Sequence, residues 1–269
     1  MKYGAMNFPV KPVLEEIQKI SDLGFDYVEL ALDPPCAHWK AIRSMEKELT
    51  AALARLRLDI VCHLPTFVYT ADLCPAIRTA SLNEMIHSLD TAAGLCAKKA
   101  VLHPSMISGL GPFVMETARA LALESLHLIA EKAASLDITL CLENMFPRYL
   151  SCFEPNHFKD IFKVFPSLKM CLDTGHANID DPGQKKLFKF LRKFPDKISH
   201  IHMSDNHGKK DNHLGVGQGA IDFKKLVKQM TDAGFDGTIT LEVFSENPQD
   251  LVDSRDKIAS WVRSAALLF

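Results

Sequence analysis

Short runs dense in apolar and β-branched residues alternate along this chain with longer stretches whose apolar residues recur every three or four positions. Eight of the short runs read as strands, at 2–8, 27–32, 59–64, 99–104, 139–144, 169–175, 198–204 and 238–243. The longer stretches read as helices, among them 13–24, 115–136, 184–194, 223–234 and a closing one at 251–267. Gly24 and Gly234 follow SDL and TDA as C-terminal helix stops, and each precedes Phe-Asp and a strand. The pair DLGFDYVEL and DAGFDGTITLEV is thus a weak internal repeat of one α-to-β unit. Eight β-then-α units in about 250 residues is the count of a (β/α)8 TIM barrel. The rival is an open doubly wound α/β sheet, which carries a glycine-rich turn after its first strand. Here that position reads GAMNFPVKP and has no such turn. No linker, low-complexity tract or charge run divides the chain, so one TIM-barrel domain over 1–269 is expected.

In a parallel barrel, alternate strand residues face the helices or the interior. The apolar set should face the helices, and the polar residues left over then face inward. By this rule Glu29, His63, His103, Glu143, Asp173, His200, His202 and Glu242 point into the barrel, with Thr139, Cys141, Cys171, Ser204 and Thr240 among them. Each of these polar residues reads as sitting at or near the C-terminal end of its strand, the end at which such barrels build active sites. A single inward histidine is more often a hydrogen-bonded core residue than a ligand. The set reads differently, because several carboxylates at one mouth repel one another unless a cation sits between them. Glu143, Asp173, His202 and Glu242 form the expected core of a metal site. His63 and His103 add two imidazoles, His176 follows Asp173 by three residues, and Asp211 and His213 lie in the loop after strand seven.

Other polar residues read more simply. Asp205 and His207 suit turn formation in SDNHG, and His38, His87, His127 and His157 fall in loops or on helices, expected in solvent. The run GVGQG, 215–219, reads as a flexible turn into a helix capped by Asp222, with backbone N–H groups able to hold a phosphate.

Charge and cysteine content narrow the class of partner. The chain has 31 Lys and Arg against 33 Asp and Glu, a net charge of −2, with no basic block to suit a polyanion. Seven cysteines follow no framework spacing, and Cys62, Cys141 and Cys171 lie inside apolar runs, which suits reduced thiols in a cytoplasmic protein. No apolar run approaches the length of a membrane span.

The words LCLENM, CLDTGH, HIHMSDN…DNHLGVGQGAIDF and GTITLEV resemble the xylose-isomerase-like barrel superfamily over nearly the whole chain. That group holds sugar and sugar-phosphate isomerases and epimerases, inosose dehydratases and the endonuclease IV type of apurinic-site nuclease. The resemblance implies a metal-binding core on Glu143, Asp173, His202 and Glu242. The nuclease branch uses nine ligands for three zinc ions, and all nine have counterparts here: His63, His103, Glu143, Asp173, His176, His202, Asp211, His213 and Glu242. The local wording departs from the nuclease at ENMFPR, DTGH and MSDN, and the aromatic and basic residues that nuclease loops press into DNA are not evident.

The expectation is therefore a divalent-metal enzyme, with one to three zinc or manganese ions, that isomerises or epimerises a small carbohydrate. Nucleic acid ranks below that substrate, and assembly as a homo-oligomer is compatible with it. Glu143 and Glu242 are expected to be the acid and base. Arg148, Lys209 and Lys210 are basic loop residues able to hold a phosphate or carboxylate, although a solvated surface role is the more ordinary reading, and His176 is a further substrate contact. A multinuclear zinc phosphodiesterase acting at abasic sites stands as the alternative.

Overall fold

Eight parallel strands pair in sequence order, and the last returns to the first. In the computed structural model, which describes residues 1–266, they are β1 (Lys2–Met6), β2 (Tyr27–Ala31), β3 (Asp59–His63), β4 (Lys99–Leu102), β5 (Thr139–Glu143), β6 (Lys169–Asp173), β7 (Ile198–Met203) and β8 (Thr238–Leu241). Pairing of Lys2 with Thr238 through Ala5 with Leu241 closes the barrel and disposes of the open-sheet alternative. Helices follow the strands, including Val13–Asp22, Met115–Ser135, Lys185–Lys193, Phe223–Asp232 and Gln249–Ala266. The final residue of the helix expected at 251–267 lies outside the described part. Gly24 and Gly234 take the left-handed conformation that stops their helices, with φ of 75° and 71°.

Each expected strand is present but ends one or two residues early. The physical reason is visible after β6. Thr174 and Gly175 leave the ladder to start a short helix, Thr174–Asn178, because the Asp173 carboxylate accepts the His176 backbone N–H at 2.6 Å.

Alternation sorts the strand residues into two cores. Val28, Leu30, Leu140, Leu142, Met170, Leu172, Ile201, Met203, Ile239 and Leu241 are buried against the helices. Inside the barrel, Tyr27, Val61, Val101, Cys141 and Cys171 make a separate small apolar cluster. Two residues further along these five strands, on the same face, come Glu29, His63, His103, Glu143 and Asp173. The period of two thus stacks a polar layer on an apolar floor. Tyr27 packs into that floor over Gly4 of β1. A Cβ on Gly4 would lie 2.3 Å from the ring.

Candidate metal centre

Glu143, at the end of β5, is fully buried and is the hub of the polar layer. Its Oε2 faces His103 Nε2 at 3.0 Å and His63 Nε2 at 3.4 Å. Its Oε1 faces His176 Nδ1 at 3.1 Å and His202 Nδ1 at 3.5 Å. His202 Nδ1 also looks towards Glu242 Oε1 at 3.0 Å and Asp173 Oδ2 at 3.8 Å. The loop after β7 joins from above. Asp211 Oδ2 is 3.2 Å from His176 Nε2 and 3.0 Å from His213 Nε2. All nine residues proposed as ligands therefore form one connected cluster.

Burial and backbone contacts fix several of these side chains in place. His63 Nδ1 lies 2.9 Å from the carbonyl of Leu64, and His213 Nδ1 lies 3.0 Å from that of Glu242. Each such contact ties up one ring nitrogen and leaves Nε2 directed into the cluster. Asn144, just past Glu143, clamps the neighbouring strand: its Oδ1 accepts from Asp173 N at 2.8 Å and its Nδ2 donates to Asp173 O at 2.9 Å. Asn144 was not recognised from the sequence as a contributor, although its place beside a strand-end glutamate was the available sign.

The electrostatics reflect four carboxylates in a small volume. Burial alone would lower the pKa of the His176 imidazole, but Asp173, Asp211 and Glu143 together raise it well above the usual range. The same contest ends with His63 raised to about 9 by Glu143, and His213 raised to about 9 by Asp211 and Glu242. Burial and the nearby carboxylates push Asp173 up to about 7 against the pull of His176. Burial opposes ionisation of Glu143 as well, yet the surrounding imidazoles hold its pKa well below the ordinary value. Without an ion, protons on the histidines offset the carboxylates.

These residues fit a divalent metal. Among the described residues, Glu143 Oε1, Asp173 Oδ2, His202 Nδ1, Asp211 Oδ1 and His103 Nδ1 are buried polar atoms with no hydrogen-bond partner. The first four are carboxylate oxygens or an imidazole nitrogen of the cluster at the mouth, whereas buried polar atoms are ordinarily satisfied. Three-donor groupings of ligand geometry recur around Glu143: His63 with His202, Asp173 with His176, and, beside them, Asp173, His202 and Glu242. Mixed carboxylate and imidazole donors suit zinc, manganese or cobalt.

Not every residue singled out joins the cluster. Arg148 is exposed on the turn Pro147–Tyr149, at the wall of a cavity of about 290 Å3 that also touches His103, Phe67, Tyr69 and Tyr149. Lys209 is exposed and stands 3.5 Å from Asp180, and Lys210 is exposed beside it. The run GVGQG is not free to take a phosphate. The buried Asp205 carboxylate accepts from Gly217 N, Gly219 N and Ile221 N at 3.1, 2.8 and 3.1 Å. Gly215 N donates to Gln218 and Val216 N to Ser254, so the loop is pinned, not flexible. Asp222 does cap the next helix through Lys225 N. Of the four histidines expected in solvent, only His127 is exposed. His38 pairs with Glu84 at 2.8 Å, His87 stacks on Trp39 at 4.4 Å between centroids, and His157 is half-buried.

The family model described as xylose isomerase-like TIM barrel matches residues 17–265. The chain is 24% identical to a ketose 3-epimerase of Arthrobacter globiformis, across 90% of this chain and 81% of that one. It is 26% identical to a probable endonuclease 4 of Malacoplasma penetrans, across 63% and 62% of the two. A solved D-tagatose 3-epimerase-like protein superposes with a TM-score of 0.88 at 25% identity, covering 99% of this chain and 98% of the other.

Proposed function

The chain belongs to the xylose isomerase-like TIM-barrel family, and from that premise we propose that it is a metal-dependent isomerase or epimerase of a small sugar, sugar phosphate or related polyol ketone. One observation carries the reading. Glu143 from β5 and Glu242 from just past β8 approach the same nitrogen, His202 Nδ1, at 3.5 and 3.0 Å. Two carboxylates brought from different sides of a mouth to one point are what proton exchange beside a carbonyl requires. One takes the proton from the carbon, and the other returns a proton. A divalent ion held by Glu143, Asp173, His202 and Glu242 would supply Lewis-acid polarisation of the carbonyl.

The other residues have supporting parts. His176 has Nδ1 at the Asn144 carbonyl and Nε2 beside Asp211, so Nε2 would join Asp211 among the outer donors or, released from it, orient a substrate oxygen. Arg148, on the wall of the adjoining cavity, is the basic group we assign to a distal phosphate or carboxylate. Lys209 would reach such a group only by leaving Asp180, an exposed pairing worth little. The breadth of match to the ketose 3-epimerase supports a carbohydrate substrate.

The nine-donor cluster also favours a second reading, a multinuclear phosphodiesterase acting at abasic DNA. One side-by-side assay separates the two: a panel of ketoses and aldoses, with and without a terminal phosphate, against a duplex carrying one abasic site. Metal-dependent interconversion of a sugar is the expected result. Efficient nicking of the duplex with no sugar turnover would reverse the order.

A further inference from the structure

One buried charge takes no part in the chemistry above. Glu29, on β2, is fully buried beneath the mouth. Its Oε1 lies 3.0 Å from His202 Nε2 and its Oε2 lies 2.9 Å from His200 Nε2. The Thr240 hydroxyl donates to Oε2 as well, and Tyr27 OH lies 2.8 Å from that hydroxyl. On the far side of His200, Nδ1 is 2.6 Å from Thr238 Oγ1, which accepts from Lys99 Nζ at 2.7 Å. A continuous hydrogen-bonded chain thus runs through the barrel: Lys99, Thr238, His200, Glu29, His202.

The donor and acceptor roles in this chain are forced. An ionised carboxylate only accepts, so both imidazoles that touch Glu29 carry their proton on Nε2. A neutral His200 then has an acceptor at Nδ1, and the Thr238 hydroxyl must donate to it. The oxygen of Thr238 is left to accept from Lys99, which only donates. At the other end Glu29 holds the Nε2 proton of His202, so a bound ion would displace only the proton on Nδ1, the atom turned towards Glu143, Asp173 and Glu242.

We propose that Glu29 is a positioning residue that fixes His202 with its proton on Nε2 and presents Nδ1 as an open donor to the core ion. The idea rests on His202 being a ligand, as proposed above. It adds a residue outside the nine candidate donors, bonded to His202 Nε2, that sets how tightly the ion is held. Carboxylates behind ligating histidines raise ligand basicity and fix ring orientation, and their loss typically weakens metal binding about 10- to 100-fold.

The test measures zinc affinity by chelator competition and the protonation of His202 by long-range proton–nitrogen NMR on zinc-loaded, histidine-labelled protein. Wild type should show a proton on Nε2 of His202 and none on Nδ1. Glu29→Ala should bind zinc about 10- to 100-fold more weakly, and Glu29→Gln, which keeps an acceptor but not the charge, should fall between. Adding Glu29→Ala to His202→Ala should cost nothing more, because the effect passes through that ring. Wild-type affinity in either Glu29 variant, a proton on His202 Nδ1, or full additivity with His202→Ala overturns the proposal. Should Glu29→Ala not fold, the wild-type spectrum and the Gln variant decide. Unchanged zinc affinity in His202→Ala alone would remove the ligand assignment itself, an outcome distinct from failure of Glu29.

Discussion

His200 and His202 lie two residues apart on β7, point the same way and are both fully buried. Both turn Nε2 to Glu29, and their surroundings differ at the other ring nitrogen. His200, level with the apolar floor, has partners at both nitrogens, Thr238 and Glu29. Burial outweighs Glu29 and lowers its pKa to about 4. His202, one step up, keeps Nδ1 without a hydrogen-bond partner and faces three carboxylates. Burial lowers its pKa too, but the surrounding anionic groups prevail and raise it well above the usual value. A buried histidine is thus a finished piece of core or an open donor according to which layer it occupies, and strand position decides the layer.

Substitutions in the two layers should therefore part company. The largest effect belongs to the mouth: Glu143→Gln or Glu242→Gln should reduce kcat by at least about 100-fold. Near-full turnover by either variant in steady-state assays would take that residue out of the proposed chemistry. Next is removal of metal. An ion bound at about 100 times its dissociation constant adds about 2.7 kcal/mol. Stripping it should lower Tm by several degrees, roughly 2–4 °C per kcal/mol for a chain this long, as read by calorimetry before and after chelation. An unchanged Tm would argue that the cluster holds no ion. Between core and rim, Asp211→Ala with His213→Ala should reduce bound metal per chain and leave the core ion. Nine candidate donors exceed the four to six or so that one ion takes. Elemental analysis giving one ion in both proteins would return the loop pair to substrate contact.

The floor should respond only through stability. His200→Ala removes one of the two donors to Glu29 Oε2, a hydrogen bond to a buried charge, and should cost about 1–3 kcal/mol by urea unfolding, with metal per chain unchanged. The metal-stripped protein should also show a pH dependence. His63 and His213, raised to about 9, hold protons in the folded state that the unfolded chain has released above its own histidine pKa near 6.5. Folding then binds more protons than unfolding, so stability is complete below about 6.5 and is lost as pH rises through 9. Metal-loaded protein should not show this loss, since an ion takes the place of those protons. Parallel urea titrations at pH 7 and 9 check the difference.

The barrel and its mouth were legible because period-two alternation is a local signal. Once Leu140 and Leu142 are assigned to the helices, Glu143 has only the interior left, and the same holds for His202 between Ile201 and Met203. What the residues did not announce were the relations among polar neighbours far apart in sequence. Glu29 reads as one more inward glutamate until it meets His200 and His202, 171 and 173 residues later. Asp205 reads as a turn residue, yet its carboxylate gathers the N–H groups of 217, 219 and 221. That makes GVGQG a closed structure with nothing left to offer a phosphate. His38 and His87 misled in the opposite sense, since nothing local shows that Glu84 and Trp39 are beside them.

Gly4 and Tyr27 have a consequence for descent as well as for packing. With 2.3 Å between a Cβ at position 4 and the ring, neither position can drift alone. Any larger residue at 4 collides with Tyr27, and a smaller one at 27 leaves a ring-sized void under the ligands and strips Thr240 of its hydroxyl partner. Substitutions at the two sites are therefore epistatic, and lineages should differ at both or at neither. Replacement of the apolar floor therefore needs two changes at once.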